Sequence, residues 1–122
     1  MITRIDHVQV AAPPGCEPQA RAFYGELLGL SVVDKPTGLA GRGGVWFALG
    51  DQQLHVGVTD DFVPARKAHP ALAVDSAHAL EALARELEAG GYAVSWDGAL
   101  APARRLHTVD PFGNRIELLV RE

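Results

Sequence analysis

The sequence predicts an α+β fold made of two βαβββ modules, with helices packed against one face of the strands. Strand and helix patterns follow one another in the order β-α-β-β-β twice, and apolar residues alternate with polar or small ones along most strands. The second series also repeats the first at a fixed offset of 62 positions, without gaps. This offset relates His7 to His69, His55 to Glu117, and Gly29 to Gly91. We therefore interpret residues 1–122 as a single domain, with a first module at about 1–60 and a second at about 67–122.

The first module begins with a strand at residues 2–11, where apolar residues alternate and β-branched side chains are frequent. A helix is expected from Pro18, since proline is well tolerated in a first turn, and it carries a stripe of apolar residues. Gly29 ends this helix. Three further strands are expected at 30–35, 45–50 and 53–59, the last two joined by a hairpin turn at Gly50-Asp51.

The second module repeats this order. A strand at 68–74 precedes a helix that Asp75 or Ser76 caps and that Gly90-Gly91 ends. The remaining strands are expected at 92–96, 104–110 and 114–121, the last two joined by the turn at 110–114.

Composition and charge narrow the class of function. A chain of 122 residues is long enough to bury a core without disulfides, and its single cysteine excludes an internal one. The net charge of −4 argues against nucleic acid or an anionic membrane as a partner. No apolar run approaches the roughly 20 residues of a membrane helix, and the N-terminal residues do not have a signal-peptide pattern. We therefore expect a cytoplasmic protein.

Strand alternation separates two faces in each module. The apolar positions of the last strands should pack against the helices: Leu54, Val56 and Val58 in the first module, and Ile116, Leu118 and Val120 in the second. The opposite face carries polar side chains, namely His7, Gln9, His55, His69, Arg115 and Glu117. Such a face is either half solvated or curled around a cavity.

Four residues of this polar face form a candidate metal site. Three imidazoles and one carboxylate suit a divalent ion such as Zn, Ni, Fe, Mn or Co. The predicted ligands are His7, His55, His69 and Glu117. Their support is positional, because no short local motif joins them. The alternative is that each histidine only meets solvent or a hydrogen-bond partner.

Four segments resemble the vicinal oxygen chelate superfamily: DHVQVAAP, ARAFYGELLGL, AHPALAV and VDPFGNRIELL. This superfamily includes glyoxalases, extradiol dioxygenases, methylmalonyl-CoA epimerase, and fosfomycin- and bleomycin-resistance proteins. The resemblance covers essentially the whole chain. It implies paired modules that form a cupped, mostly antiparallel sheet with the helices on its outer face. It also implies metal ligands on the first and last strand of each module, which are the places of the four residues above.

The resemblance implies a metal-dependent enzyme acting on a small oxygen-chelating substrate. Proton transfer through a metal-stabilised enediolate, as in lyases, isomerases and epimerases, would use Glu117 or His107. Iron would instead permit a dioxygenase reaction. His55 stands where glyoxalases carry glutamate and the epimerase carries glutamine, so the reaction stays open. The alternative is a metal-free protein that sequesters a small molecule, as bleomycin-resistance proteins do. Similar proteins also lead us to expect a homodimer.

Further site residues follow from strand parity and from the resemblance. His107 is expected to line the site as an acid, a base or a polar anchor. Arg105 is assigned to an anionic group of the substrate, although a solvated charge is an equal alternative. Gln9 lies two residues from His7 on the same face and is assigned to the pocket. Of the neighbours Trp46 and Phe47, one faces the helices and the other the pocket, and we assign Phe47 to substrate binding.

Overall fold

The structure, a computed structural model, describes residues 1–121. The chain divides into two compact units, Met1–Pro64 and Ala65–Glu122. The division falls inside the linker expected between the two modules. None of the helices described between residues 1 and 121 is long and apolar enough to cross a membrane.

The first unit contains one helical segment and one four-stranded sheet. Helix α1 spans Glu17–Ala20 and continues as a π-helical stretch over Arg21–Leu27, and a 3₁₀ segment spans Thr37–Arg42. The strands are β1 (His7–Ala12), β2 (Ser31–Val33), β3 (Val45–Leu49) and β4 (Gln52–Val58), in the order β1-β4-β3-β2. Strand β1 runs parallel to β4, and the other two pairings are antiparallel.

The second unit has the same architecture. Helix α2 spans Ala77–Ala89, and a 3₁₀ segment spans Gly98–Leu100. The strands are β5 (Ala71–Ala73), β6 (Ser95–Asp97), β7 (Arg104–Val109) and β8 (Arg115–Val120), in the order β5-β8-β7-β6. The hydroxyl of Ser76 accepts a hydrogen bond from the backbone of Ala79 at 3.0 Å, so Ser76 is the cap of α2.

The register of the parallel strand pair is the same in the two sheets, whereas the antiparallel registers differ by one residue. Gln9 lies opposite His55 where the parallel strands β1 and β4 pair, and Ala71 lies opposite Glu117 where β5 and β8 pair. Both members of the second pair lie 62 positions after those of the first. The predicted α+β fold of two βαβββ modules is confirmed, with two antiparallel pairings of three in each mixed sheet.

Each sheet buries its apolar face, as predicted. Leu54 and Val56 of β4 are almost fully buried, as are Ile116, Leu118 and Val120 of β8, whereas Val58 at the end of β4 is half-buried. Tyr24 of the first helical segment packs against Phe47, with their ring centroids 5.7 Å apart. The opposite faces are therefore available to carry the polar residues.

Several elements differ from the prediction: β1 begins at His7 and not at residue 2, and β6 spans Ser95–Asp97 and not 92–96. Strand β5 begins at Ala71, so His69 lies before the strand and not within it. Pro70 separates the two, and a proline has no backbone N–H to donate to a ladder. Its carbonyl oxygen still accepts from the backbone N–H of Glu117 at 3.0 Å, which holds this segment beside β8. In the first helical segment, the N–H of Leu28 donates to the carbonyl of Phe23, a π-type bond that the apolar stripe did not predict.

Candidate functional site

Glu117 is the centre of a polar cluster in the second unit. It lies in the middle of β8, with His107 of β7 directly opposite and Ala71 of β5 on its other side. Only 4% of Glu117 is exposed, and a carboxylate so buried needs partners that compensate for its lost hydration.

Three cationic or potentially cationic groups meet one oxygen of Glu117. The Nε2 atom of His69 lies 2.9 Å from Oε1, and the Nε2 atom of His107 lies 3.3 Å from it. The Nη1 atom of Arg105 lies 3.5 Å from the same oxygen. The ligand atoms of His69, His107 and Glu117 all lie within 4.8 Å of one another, which is close enough to share a metal ion.

The second ring nitrogen of His69 fixes the orientation of its imidazole. Nδ1 lies 2.9 Å from the carbonyl oxygen of Lys67, which can only accept, so Nδ1 carries a proton. Nε2 then faces the Glu117 carboxylate. Two electron-rich groups that face each other in this way suit a cation held between them. A backbone carbonyl behind the distal nitrogen is the usual support of a metal-bound histidine.

The pKa values of Glu117 and His107 are both lowered, for different reasons. Burial opposes ionisation of Glu117, but the hydrogen bonds and charges of His69, Arg105 and His107 outweigh it and leave the pKa of Glu117 below its ordinary value. Burial, together with the nearby charge of Arg115, lowers the pKa of His107. The cluster therefore holds an ionised carboxylate beside an imidazole that is neutral at pH 7.

This donor set fits a divalent metal ion. Two imidazole nitrogens and one carboxylate oxygen are a common set for Fe, Mn, Co, Ni or Zn. The sequence predicted His69 and Glu117 as ligands, and the structure brings them together. The structure also places His107, which the sequence predicted as a catalytic residue, next to the same Glu117 oxygen.

The other two predicted ligands form a ring stack in the first unit. The rings of His7 and His55 lie 4.3 Å apart, and the indole of Trp46 stacks on the other face of His55 at 3.8 Å with an interplanar angle of 1°. His55 is 4% exposed, and burial with the adjacent His7 lowers its pKa. Its Nε2 atom lies 2.8 Å from the Gln53 side-chain oxygen, which leaves Nδ1 as its free lone-pair nitrogen.

A cleft of about 400 Å³ opens beside this stack. Trp46 and His55 line it, together with the cationic side chains of Lys35 and Arg42. Gln9, predicted as a pocket residue, also lies in its wall. Its side chain covers Gly57 so closely that a Cβ there would lie 2.6 Å from it. The cleft can therefore receive a planar molecule that carries negative charge.

The structure corrects the assignment of Phe47. Phe47 is 0% exposed and packs in the core against Tyr24, so it cannot touch a ligand. Trp46 takes the polar face because it lies opposite His55 in the register of β3 and β4. Counting outward from the Gly50-Asp51 turn would have identified Trp46 from the sequence.

Arg105 is engaged differently from the prediction. Its Nη2 atom donates to Asp97 at 2.8 Å, and its Nη1 atom is directed at Glu117. Both ends of the guanidinium therefore meet carboxylates of the protein, and Arg105 acts as a support for Glu117. Asp97 had no signal in the sequence beyond its charge, because its position depends on the pairing of β6 with β7.

A family model, described as the glyoxalase/bleomycin resistance protein/dioxygenase superfamily, matches residues 4–118. No curated protein matches the chain significantly. Among solved structures, the chain is similar to a glyoxalase family protein from Bacillus anthracis, with 47% identity and a TM-score of 0.92. The match covers 100% of this chain and 98% of that one.

Two more distant structures share the fold alone. Lactoylglutathione lyase from Agrobacterium tumefaciens is 21% identical, with a TM-score of 0.68 and coverage of 93% of this chain and 91% of that one. A fosfomycin resistance protein from Listeria monocytogenes is 13% identical, with a TM-score of 0.78 and coverage of 98% and 94%.

Proposed function

Because the chain belongs to the glyoxalase/bleomycin resistance protein/dioxygenase superfamily, we propose that it is a metal-dependent enzyme acting on a small, oxygen-chelating substrate. The observation that carries the proposal is the convergence of His69 and His107 on one oxygen of a buried glutamate. Proton transfer of the lyase, isomerase or epimerase type is the reaction that this cluster supports best.

His69 and Glu117 hold the ion in this proposal, and His107, although close enough to be a third ligand, is assigned to proton transfer. A bound divalent ion supplies Lewis-acid polarisation of the substrate oxygens. His69 is pre-oriented by the Lys67 carbonyl, and Arg105 holds the Glu117 carboxylate from the other side. The predicted ligands His7 and His55 belong to the first unit, and their part in metal binding stays a prediction from the family resemblance.

His107 is the proton carrier. Its imidazole is neutral at pH 7 because burial and Arg115 lower its pKa, so it can accept a proton from a substrate carbon. The adjacent Glu117 carboxylate then stabilises the imidazolium that forms. When the proton returns to a different atom or face of the substrate, the result is an isomerisation or an epimerisation.

Metal analysis of the protein, purified without a histidine tag, tests the metal centre directly. We expect a stoichiometric divalent ion in the wild type and at least about tenfold weaker binding in Glu117→Gln. Glu86→Gln on the exposed face of α2 is the matched control and should retain the ion. Absence of metal, together with no change in melting temperature on adding Zn, Ni, Mn, Fe or Co, would contradict the proposal.

A substrate panel separates the reactions. Turnover of a hemithioacetal, the substrate type of a lactoylglutathione lyase, or racemisation of an acidic carbon centre supports proton transfer. Ring opening of catechols by the iron-loaded protein would instead identify a dioxygenase, for which two histidines and a carboxylate are also a known set.

The ring stack of the first unit favours a second candidate, a protein that sequesters a planar small molecule without metal. Trp46 and His55 give the cleft an aromatic wall, and Lys35 and Arg42 give it positive charge. This candidate predicts that ligand binding, followed by Trp46 fluorescence in a Trp96→Phe background, survives in the His69→Ala/Glu117→Gln double variant, which removes the metal cluster and leaves the cleft intact. Loss of all binding in that variant would count against it.

A further inference from the structure

A second cleft lies on the polar face of the second unit, on the His107 side of the Glu117 cluster. Its volume is about 580 Å³, and its walls include Arg66, Ser95, His107 and Arg115. His107 therefore belongs both to the cluster and to the cleft. A molecule seated in the cleft would lie beside the imidazole that we propose to move a proton.

Backbone hydrogen bonds hold the two arginines of this cleft in place. The N–H of Ala65 donates to the Asn114 side-chain oxygen at 2.9 Å, and the N–H of Arg115 donates to the Ala65 carbonyl at 2.9 Å. Asn114 is itself fixed by its bonds to Asp110 in the turn before β8. Arg66 follows Ala65 in the sequence, and Arg115 follows Asn114. The hydrogen bonds between Ala65, Asn114 and Arg115 therefore hold both arginines beside one cleft.

Neither of these guanidinium groups has a carboxylate partner among residues 1–121. Arg105, only two strand positions from His107, is by contrast paired with Asp97 at 2.8 Å. Two like charges at one cleft repel each other unless an anion lies between them. A guanidinium donates two parallel hydrogen bonds to a carboxylate or phosphate, and the Ser95 hydroxyl offers a further donor.

We infer that this cleft binds an oxyanion group, a carboxylate or a phosphate, carried by the small molecule that reacts beside His107 and Glu117. Only the statement that the anion belongs to the substrate rests on the proposed function. The anion site itself needs no metal, because Arg66 and Arg115 are charged at any physiological pH.

A titration of metal-free, ¹⁵N-labelled protein followed by NMR tests this site. The probes are sodium phosphate and sodium acetate at constant ionic strength, with uncharged acetamide as the comparison. We expect the backbone amide signals of Arg66, Ser95, Gly113 and Arg115 to shift with an anion and not with acetamide. A response to phosphate alone identifies a phosphorylated substrate, and a response to acetate alone a carboxylate; either supports the site.

Substitution of the arginines gives the decisive comparison. Arg66→Gln and Arg115→Gln should each weaken anion binding about tenfold, because each removes a charge-assisted hydrogen bond. Arg85→Gln, on the exposed side of α2, should leave binding unchanged. Binding as strong in Arg66→Gln as in the wild type, or shifts confined to residues outside the cleft, would overturn the inference. If Arg115→Gln does not fold, Arg66→Gln, in an exposed linker, still decides the question.

The outcome is separable from the metal proposal. Anion shifts at the cleft in a protein that binds no divalent ion would support the anion site and contradict the proposed enzyme. Metal binding without any anion-induced shift would support the metal centre and overturn the anion site. With an active substrate in hand, Arg66→Gln should raise KM about tenfold and change kcat less than about twofold, as expected for uniform binding.

Discussion

His107 and His69 both lie next to one carboxylate oxygen of Glu117, but their surroundings suit them to different roles. The Lys67 carbonyl locks His69 in one tautomer, whereas burial and Arg115 keep His107 neutral. We therefore expect His107→Gln to lower kcat by about 10²- to 10⁴-fold, the range of a lost general base, while metal content is retained. Assays with the identified substrate, beside metal analysis, provide the measurement.

His78→Gln is the matched control, because His78 is exposed on α2 and should leave kcat unchanged. If His107→Gln instead loses the ion together with its activity, His107 is a metal ligand and its role as proton carrier is wrong. Full activity in His107→Gln would exclude both roles.

Individual site residues could be predicted where strand parity alone determines their position. Alternation placed Glu117 on the polar face, and the family resemblance added His107 to the site; the structure puts the two residues opposite each other. Phe47 was misassigned because parity gives two equivalent choices until the hairpin register is known. The pairing of Arg105 with Asp97 depends on how two separate strands align, and no local sequence signal specifies that alignment.

The side chain of Glu17 links the first helical segment to the backbone just before β3. Glu17 accepts a hydrogen bond from the backbone N–H of Gly44 at 2.6 Å, just before β3. Gly44 has a φ of 84°, and a Cβ there would lie 2.1 Å from the Val56 carbonyl oxygen, so only glycine fits this approach. The bond from Gly44, aided by Arg21 and Lys35, lowers the pKa of Glu17.

This link should contribute stability that depends on pH. A carboxylate whose pKa is depressed by folding stabilises the native state above its unfolded pKa of about 4.3, and loses that contribution as the pH falls through its folded pKa. We expect Glu17→Gln to reduce the free energy of unfolding by about 1 kcal/mol at pH 7, the difference between a charged and a neutral acceptor.

Chemical denaturation of both proteins between pH 7 and pH 3 measures the effect. The gap between wild type and Glu17→Gln should narrow as the pH falls below the unfolded pKa of about 4.3, and close once the pH has passed through the lowered pKa of folded Glu17. Glu26→Gln, at an exposed position of the same segment, should show no such gap. A gap that stays constant with pH would show that the charge of Glu17 is not its cause.

At the level of elements, the 62-residue repeat predicted the fold more securely than any single pattern. The repeat holds because β1 with β4 and β5 with β8 share one register. Strand ends were less predictable, since the alternation of residues 2–11 continues through positions that the structure leaves exposed before His7. Whether such residues join a strand depends on a partner strand, which hydrophobic alternation does not reveal.

For the whole molecule, the superfamily resemblance predicts a homodimer, and the exposed surface is consistent with one. Residues near the edge strand β1 leave large apolar side chains in solvent: Ile2 is 96% exposed, Ile5 61% and Val8 37%. Apolar side chains grouped beside a sheet edge commonly mark an interface. We propose that a second copy of the chain covers them.

Light scattering coupled to gel filtration should give a mass of twice the 13.0 kDa of one chain. A lysine in the interface would place an uncompensated charge in an apolar contact. Ile5→Lys should therefore weaken the dimer at least about tenfold and shift it to monomer on dilution. Val63→Lys is the matched control, because Val63 is 77% exposed but lies in the linker after β4. A monomeric wild type would contradict the dimer itself, whereas a dimer insensitive to Ile5→Lys would place the interface on another surface.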